Sequence, residues 1–166
     1  MFINPKIAVQ NGWIQNVQDT WIQPNAVDIS ADRLFKMNLD STFYIDTSNK
    51  SHRDREEVIS NQDGVWELTP GSYDFVSDVY VDMPEGTVGW VRVRSSFNRN
   101  GVNVGSGFYD SGYRGPICGT LYVTGITKMK QGTPVGQFIF ANSESEGLYE
   151  GGYNTKKGDL PTHIKK

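Results

Sequence analysis

The most constraining feature is the alternation that begins after Pro70-Gly71. Tyr73, Phe75, Val79, Val81 and Met83 fall on one parity, and Asp74, Asp78 and Asp82 fall on the other. Side chains of a strand point to opposite faces in turn, so this pattern predicts a half-buried strand with its acids toward solvent. Pro84-Glu85-Gly86 supplies a turn, and Thr87 to Arg94 runs back as the next strand of a hairpin. A chain holding such a pair must build a sheet. The rest of its 166 residues agrees, with 18 glycines and no long stretch rich in Ala, Leu, Glu and Lys. A β-rich single domain with many turns is expected.

Further elements follow from local chemistry. Asn4-Pro5 predicts a short helix, capped by Asn4 and ended before Gly12. Thr20 to Ile29 reads as extended and interrupted at Pro24, and Leu34 to Ile45 as two short strands around a polar turn at Asn38 to Ser41. Pro116 to Thr124 and Val135 to Ala141 are further strand candidates. Lys50 to Asp63 carries mixed charges and reads as a solvated excursion rather than a binding patch.

Composition excludes several functions. A formal net charge of −3 gives no basic field for duplex nucleic acid. No apolar run approaches the ~20 residues of a membrane helix, and the N-terminus lacks a secretory pattern. Cys118 is the only cysteine, so no internal disulfide forms. With His52 and His163 far apart in sequence, a zinc site is not expected. A cytoplasmic protein follows, or one of the host cytoplasm for a viral chain.

The chemistry concentrates in Arg94 to Gly115, RSSFNRNGVNVGSGFYDSGYRG. Arginine and serine beside small residues suit phosphate oxygens, offering charged and neutral donors on a closely approaching backbone. Asp110 stands at a tight turn between Tyr109 and Ser111-Gly112, where a carboxylate can aim a water or simply bond its own backbone.

Arg94-Ser95-Ser96, followed by Tyr109-Asp110-Ser111-Gly112-Tyr113-Arg114-Gly115, resembles the motifs of the trimeric dUTPase and dCTP deaminase superfamily. IQPNAVDI near the N-terminus, and the segment leading into Arg94, resemble the deaminase branch. VGQFIFA, with Gln137, resembles a dUTPase pattern. The resemblance implies an all-β, distorted jelly-roll-like β-barrel of the dUTPase type with a short N-terminal helix, assembled as a homotrimer with shared sites. Residues 1–154 would form the single domain, and 155–166 a flexible tail able to close over a nucleotide.

It also implies roles. Asp110 would orient and deprotonate a water attacking the α-phosphorus. Arg94, Ser95, Ser96 and Gln137 would hold phosphates. Gly105 and Gly107 would present backbone to the base, and Tyr113 would face the sugar or serve as a core aromatic. Further candidates are Asp28, Arg99 and Thr120. Mg²⁺ would arrive on phosphate oxygens and water without direct protein ligands. Thr120 stands where the deaminases carry a proton-shuttling glutamate, and a threonine hydroxyl does not ionise near neutrality. The expected activity is therefore hydrolysis of a deoxyribonucleoside triphosphate, dUTP to dUMP and pyrophosphate. The alternatives are a dCTP deaminase, a bifunctional deaminase and dUTPase, or a non-catalytic nucleotide-sensing or protein-binding trimer.

Overall fold

The structure is a computed structural model and describes residues 1–164. Strands hold 43% of the chain and helix 9%. Among the described residues, no helix is long and apolar enough to cross a membrane.

Helix α1 (Pro5–Gln10) starts where expected, with the Asn4 side chain accepting from the Lys6 amide at 3.0 Å and proline opening the first turn. It stops at Asn11-Gly12, where Gly12 takes φ +71°. After β1 (Ile14–Gln15), a single 3₁₀ turn (Asp19–Trp21) occupies the start of the expected extended segment. Strand β2 (Val27–Ser30) begins only beyond Pro24.

Strand β3 (Arg33–Met37) ends at the polar turn, where Asn38 Oδ1 accepts from the Asp40 amide. The next strand, β4 (Tyr44–Ile45), pairs with β5 (Lys50–Ser51) rather than with β3. One neighbour of β3 is β6 (Arg55–Glu57), inside the stretch expected to be only a solvated excursion. Then come β7 (Val65–Leu68), β8 (Gly71–Asp82), β9 (Thr87–Val93), α2 (Ser95–Arg99), β10 (Val102–Gly105), β11 (Arg114–Val123), β12 (Thr127–Lys130) and β13 (Pro134–Asn142).

The expected hairpin of β8 and β9 is corrected. Both strands exist, but Pro84-Glu85-Gly86 carries the chain from one sheet to another. Strand β8 is central in the order β10-β11-β8-β3-β6, with β1 also on β8, whereas β9 lies at the edge of β2-β13-β9. The two sheets share a core that includes Ile29, Phe75, Val79, Val81, Ile117, Leu121, Phe138 and Phe140, none more than 1% exposed. Each such aliphatic or aromatic side chain contributes about 1.5–3 kcal/mol on burial.

The other face of β8 is not solvent-facing along its first half. Asp74 is 5% exposed and Val76 is 6% exposed. Val76 and Phe35 are covered by Ile164 and Leu160 of the C-terminal segment. Of the three acids placed toward solvent by alternation, Asp78 alone is exposed and Asp82 is half-buried.

Candidate functional site

A cavity of about 720 Å³ opens where β10, β11 and the start of β8 meet the C-terminal segment. That volume lies within the usual range for small-molecule sites. Asp110, Gly105, Gly107, Tyr113 and Thr120 all line it. Arg94, Ser95, Ser96, Gln137, Asp28 and Arg99 are absent from its walls.

The ledge of the cavity is backbone. Gly105 pairs with Thr120 across β10 and β11. A Cβ on Gly119 would lie 2.5 Å from the Gly105 carbonyl, so only glycine lets the two strands approach this closely.

Asp110 follows Tyr109, whose amide and carbonyl both bond to Gly89, at 2.8 and 2.9 Å. The Tyr113 amide closes the turn onto the Asp110 carbonyl at 3.0 Å. The Asp110 residue is exposed, so a fixed backbone presents its carboxylate to the cavity. Tyr113 is 8% exposed and meets the Tyr109 and Tyr149 rings edge-on at 5.2 and 5.7 Å. It is a core aromatic that also forms cavity wall, and burial pushes its phenol pKa well up. Burial likewise pushes the Cys118 thiol up to about 12, with the Asp74 charge adding to it. Little nucleophilic thiolate forms there near neutrality.

Other wall residues escaped the sequence reading: His52, Arg55, Asp74 and His163. Asp74 Oδ1 accepts from Thr120 Oγ1 at 2.9 Å, and Oδ2 accepts from Arg55 Nε. The side chains of this ion pair are 11% and 6% exposed. Arg55 also donates from Nη1 to the Arg53 carbonyl at 2.7 Å. So Lys50 to Asp63 does contribute to a site, through His52 and Arg55. The rings of His52 and His163, far apart in sequence, come within 6.1 Å. Burial lowers both imidazole pKa values. Arg55 and Lys50 lower them further, and Asp74 opposes this. One signal in the sequence pointed here: Val76 interrupts the polar parity between Asp74 and Asp78, as a covered face requires.

A second polar cluster forms on the β2-β13-β9 sheet. Gln137 faces Asp28 on one side and Arg92 on the other. Asp28 is 3% exposed and accepts from Gln137 Nε2 at 2.9 Å and Gln23 Nε2 at 3.2 Å. Arg94 Nη2 lies 3.7 Å from Asp28, and Nη1 donates to the Pro134 carbonyl at 3.3 Å. Ser95, Ser96 and Arg99 sit exposed on the five-residue helix α2.

The C-terminal segment borders the cavity. The Tyr149 amide donates to the Ser111 carbonyl at 2.7 Å, and the Thr155 amide to the Arg114 carbonyl at 2.8 Å. Tyr149, Tyr153, Pro161 and His163 complete the wall.

Comparison with known proteins places this arrangement. Residues 2–143 match the model of the dCTP deaminase-like family. A probable deoxyuridine 5′-triphosphate nucleotidohydrolase of Halobacterium salinarum is 30% identical over 151 residues, spanning 88% of this chain and 90% of that protein. A dCTP deaminase of Sulfurisphaera tokodaii is 27% identical over 171 residues, spanning 92% and 85%. The crystal structure of a 2′-deoxycytidine 5′-triphosphate deaminase from Agrobacterium tumefaciens shares the fold, with TM-score 0.63 and 14% identity over 84% of this chain and 47% of that one. An all-β fold bearing these motifs, matched along nearly its whole length, belongs to the dCTP deaminase-like family, which here includes both dUTPase-like and deaminase relatives.

Proposed function

We propose that the chain hydrolyses dUTP to dUMP and pyrophosphate. The observation that carries this is Asp110, an exposed carboxylate on a doubly anchored backbone, in the same cavity as the Gly105–Gly107 ledge. With the base on the ledge and the sugar against Tyr113, the α-phosphate comes to Asp110, which takes the proton of the attacking water. General-base help of this kind contributes roughly 10²–10⁴-fold. The named activity of the Halobacterium relative supports the same reaction.

Arg94, Ser95, Ser96 and Gln137 are the proposed phosphate donors, yet they do not line this cavity. A triphosphate leaving the cavity meets them on a second copy of the chain, which is the reason to propose a homotrimer with shared sites. The segment beyond residue 154 then closes over the bound nucleotide. Among the described residues no three of His, Cys, Asp and Glu converge as a cation cage. A magnesium ion would be held by triphosphate oxygens and water, where it would offset phosphate charge.

Deamination is disfavoured by the same geometry. Thr120 has no ionisable group, and the nearby Asp74 carboxylate is engaged by Arg55 and by Thr120 itself. The test is to supply dUTP with Mg²⁺ and measure pyrophosphate and dUMP, with ammonia from dCTP followed separately. Pyrophosphate from dUTP in proportion to protein is expected. Its absence, or ammonia from dCTP instead, overturns the proposal.

A further inference from the structure

We infer that the base end of this cavity is built for a 4-aminopyrimidine, so that dCTP is a substrate beside dUTP and is cleaved with its amino group retained. The inference rests on the diphosphatase reading above for where the nucleotide lies. It adds which base the cavity favours, and it derives from the Thr120–Asp74–Arg55 cluster.

Position comes first. In a pyrimidine nucleotide C4 lies across the ring from N1, the atom bonded to the sugar. The Tyr113 hydroxyl reaches the Pro116 carbonyl, so its ring marks the start of β11. Thr120 lies on the same strand about 13 Å beyond Pro116, at ~3.3 Å per residue. With the sugar against Tyr113 and the ring on the Gly105 ledge, the C4 substituent points along β11 toward Thr120. Thr120 and Asp74 are direct partners in the register of β11 and β8, so they share a face.

Polarity comes second. The Thr120 hydroxyl has one hydrogen, and it is donated to Asp74. The carboxylate, paired with the Arg55 guanidinium, offers only acceptors. The surface met by the C4 substituent is therefore a hydroxyl oxygen with lone pairs to spare beside a carboxylate with more. A 4-amino group brings N–H donors to that surface. A 4-carbonyl brings another acceptor. To serve it, Thr120 must abandon the carboxylate, or a water must intervene.

Arg55 also borders the cavity. Its Nε and Nη1 are engaged, whereas Nη2 has no hydrogen bond among the described residues. That remaining donor suits the ring N3 of cytosine, which accepts, rather than the N3–H of uracil. Amino group to Asp74 and Thr120, with N3 to Arg55, satisfies the whole cluster. A hydrogen bond to a charged group changes affinity by roughly tenfold to a hundredfold.

The chemistry is unchanged by the base. The water oxygen bonds to the α-phosphorus, and the bridging P–O bond breaks. Its electron pair leaves with pyrophosphate, and the water proton passes to Asp110. The products are dCMP and pyrophosphate, with no ammonia.

The test uses the α,β-imido analogues of dCTP and dUTP, titrated with Mg²⁺ by calorimetry, beside turnover of the natural nucleotides. The dCTP analogue should bind roughly tenfold more tightly. Thr120→Val, which keeps shape and leaves the Arg55 pair intact, should shrink that ratio severalfold. Asp74→Asn, which turns one acceptor into a donor, should move preference toward uracil. Because Asp74→Asn also disturbs a buried ion pair, Thr120→Val carries the test wherever the asparagine variant fails to fold. Tighter binding of the dUTP analogue, or a ratio unmoved in Thr120→Val, overturns the inference and leaves dUTP hydrolysis untouched. The expected binding ratio without pyrophosphate from either nucleotide upholds the base assignment and overturns the catalytic reading. Failure of both analogues to bind overturns both.

Discussion

The two polar clusters of this molecule hold arginine and aspartate in opposite ways. Around Asp28 the guanidinium of Arg94 stands off at 3.7 Å, its side chain 36% exposed, while neutral Gln137 and Gln23 satisfy the carboxylate. Around Asp74 the guanidinium of Arg55 bonds directly, and both partners are almost wholly enclosed. A loosely held, half-exposed cation keeps its donors for a ligand anion. A tightly held, enclosed pair has already used most of its charge internally, and what remains is a pattern of donors and acceptors. The first arrangement suits phosphate, and the second suits discrimination among neutral ring edges.

The comparison predicts its largest contrast in stability. Arg55→Met leaves a buried carboxylate without its counter-charge, which costs about 3–5 kcal/mol. Arg94→Met, at a half-exposed and poorly aligned pair, should cost about 1 kcal/mol or less. Urea midpoints measured side by side decide the matter, and equal losses would end the distinction.

Catalysis separates the clusters next. Asp110→Asn keeps size and shape but removes the basic oxygen. Turnover should fall roughly 100-fold or more with KM little changed. If dUTP turnover survives, Asp28 becomes the next carboxylate to test, and the phosphate cluster would hold the chemistry as well. In folded Arg94→Met the loss should appear mainly in binding, with kcat/KM lower by roughly tenfold or more. A pure kcat effect there would show that Arg94 acts in the transition state alone.

The smallest effect is a titration. Burial first, then neighbouring Arg55, His52 and Lys50, hold the His163 pKa below its ordinary 6.5 in the folded chain, with Asp74 opposing them. A folded-state pKa that is lowered means the unfolded chain takes the proton first as pH falls. The stabilisation is thus complete above pH 6.5 and is lost as pH drops through that value toward the lowered one. The urea midpoint should decline modestly over this range, and His163→Gln should flatten the decline. An unchanged slope would assign the titration to His52 instead.

What sequence made legible was local. The Asn4-Pro5 start of α1 and strands β8, β9, β11 and β13 depend on neighbours in the chain and stand where expected. The wall residues Asp110, Gly105, Gly107 and Tyr113 came from one short motif region. Asp74 did not, because alternation reports only that a face differs from the core, not what covers it. Here the cover is Leu160 and Ile164, with His163 beside the cavity, supplied from the far end of the chain. Arg55 arrives through the pairing of β6 with β3, which a run of mixed charges does not announce. The false hairpin has the same cause: Pro84-Glu85-Gly86 states that the chain turns, but not which sheet receives it.

The phenol of Tyr109 has a mechanical consequence. Where the register of β11 slips between Pro116 and Cys118, Tyr109 Oη donates to the Cys118 carbonyl at 2.6 Å and accepts from its amide at 3.0 Å. One side chain thereby does the work of a missing neighbouring strand. Since Tyr109 is also tied through its backbone to Gly89, Asp110 is clamped to both sheets at once. The β11 side of the cavity thus behaves as the fixed jaw of a vice, with little compliance between ledge and carboxylate. The opposite jaw is the segment carrying Tyr149, Tyr153 and His163, so any change in the width of the cavity would have to come from that side.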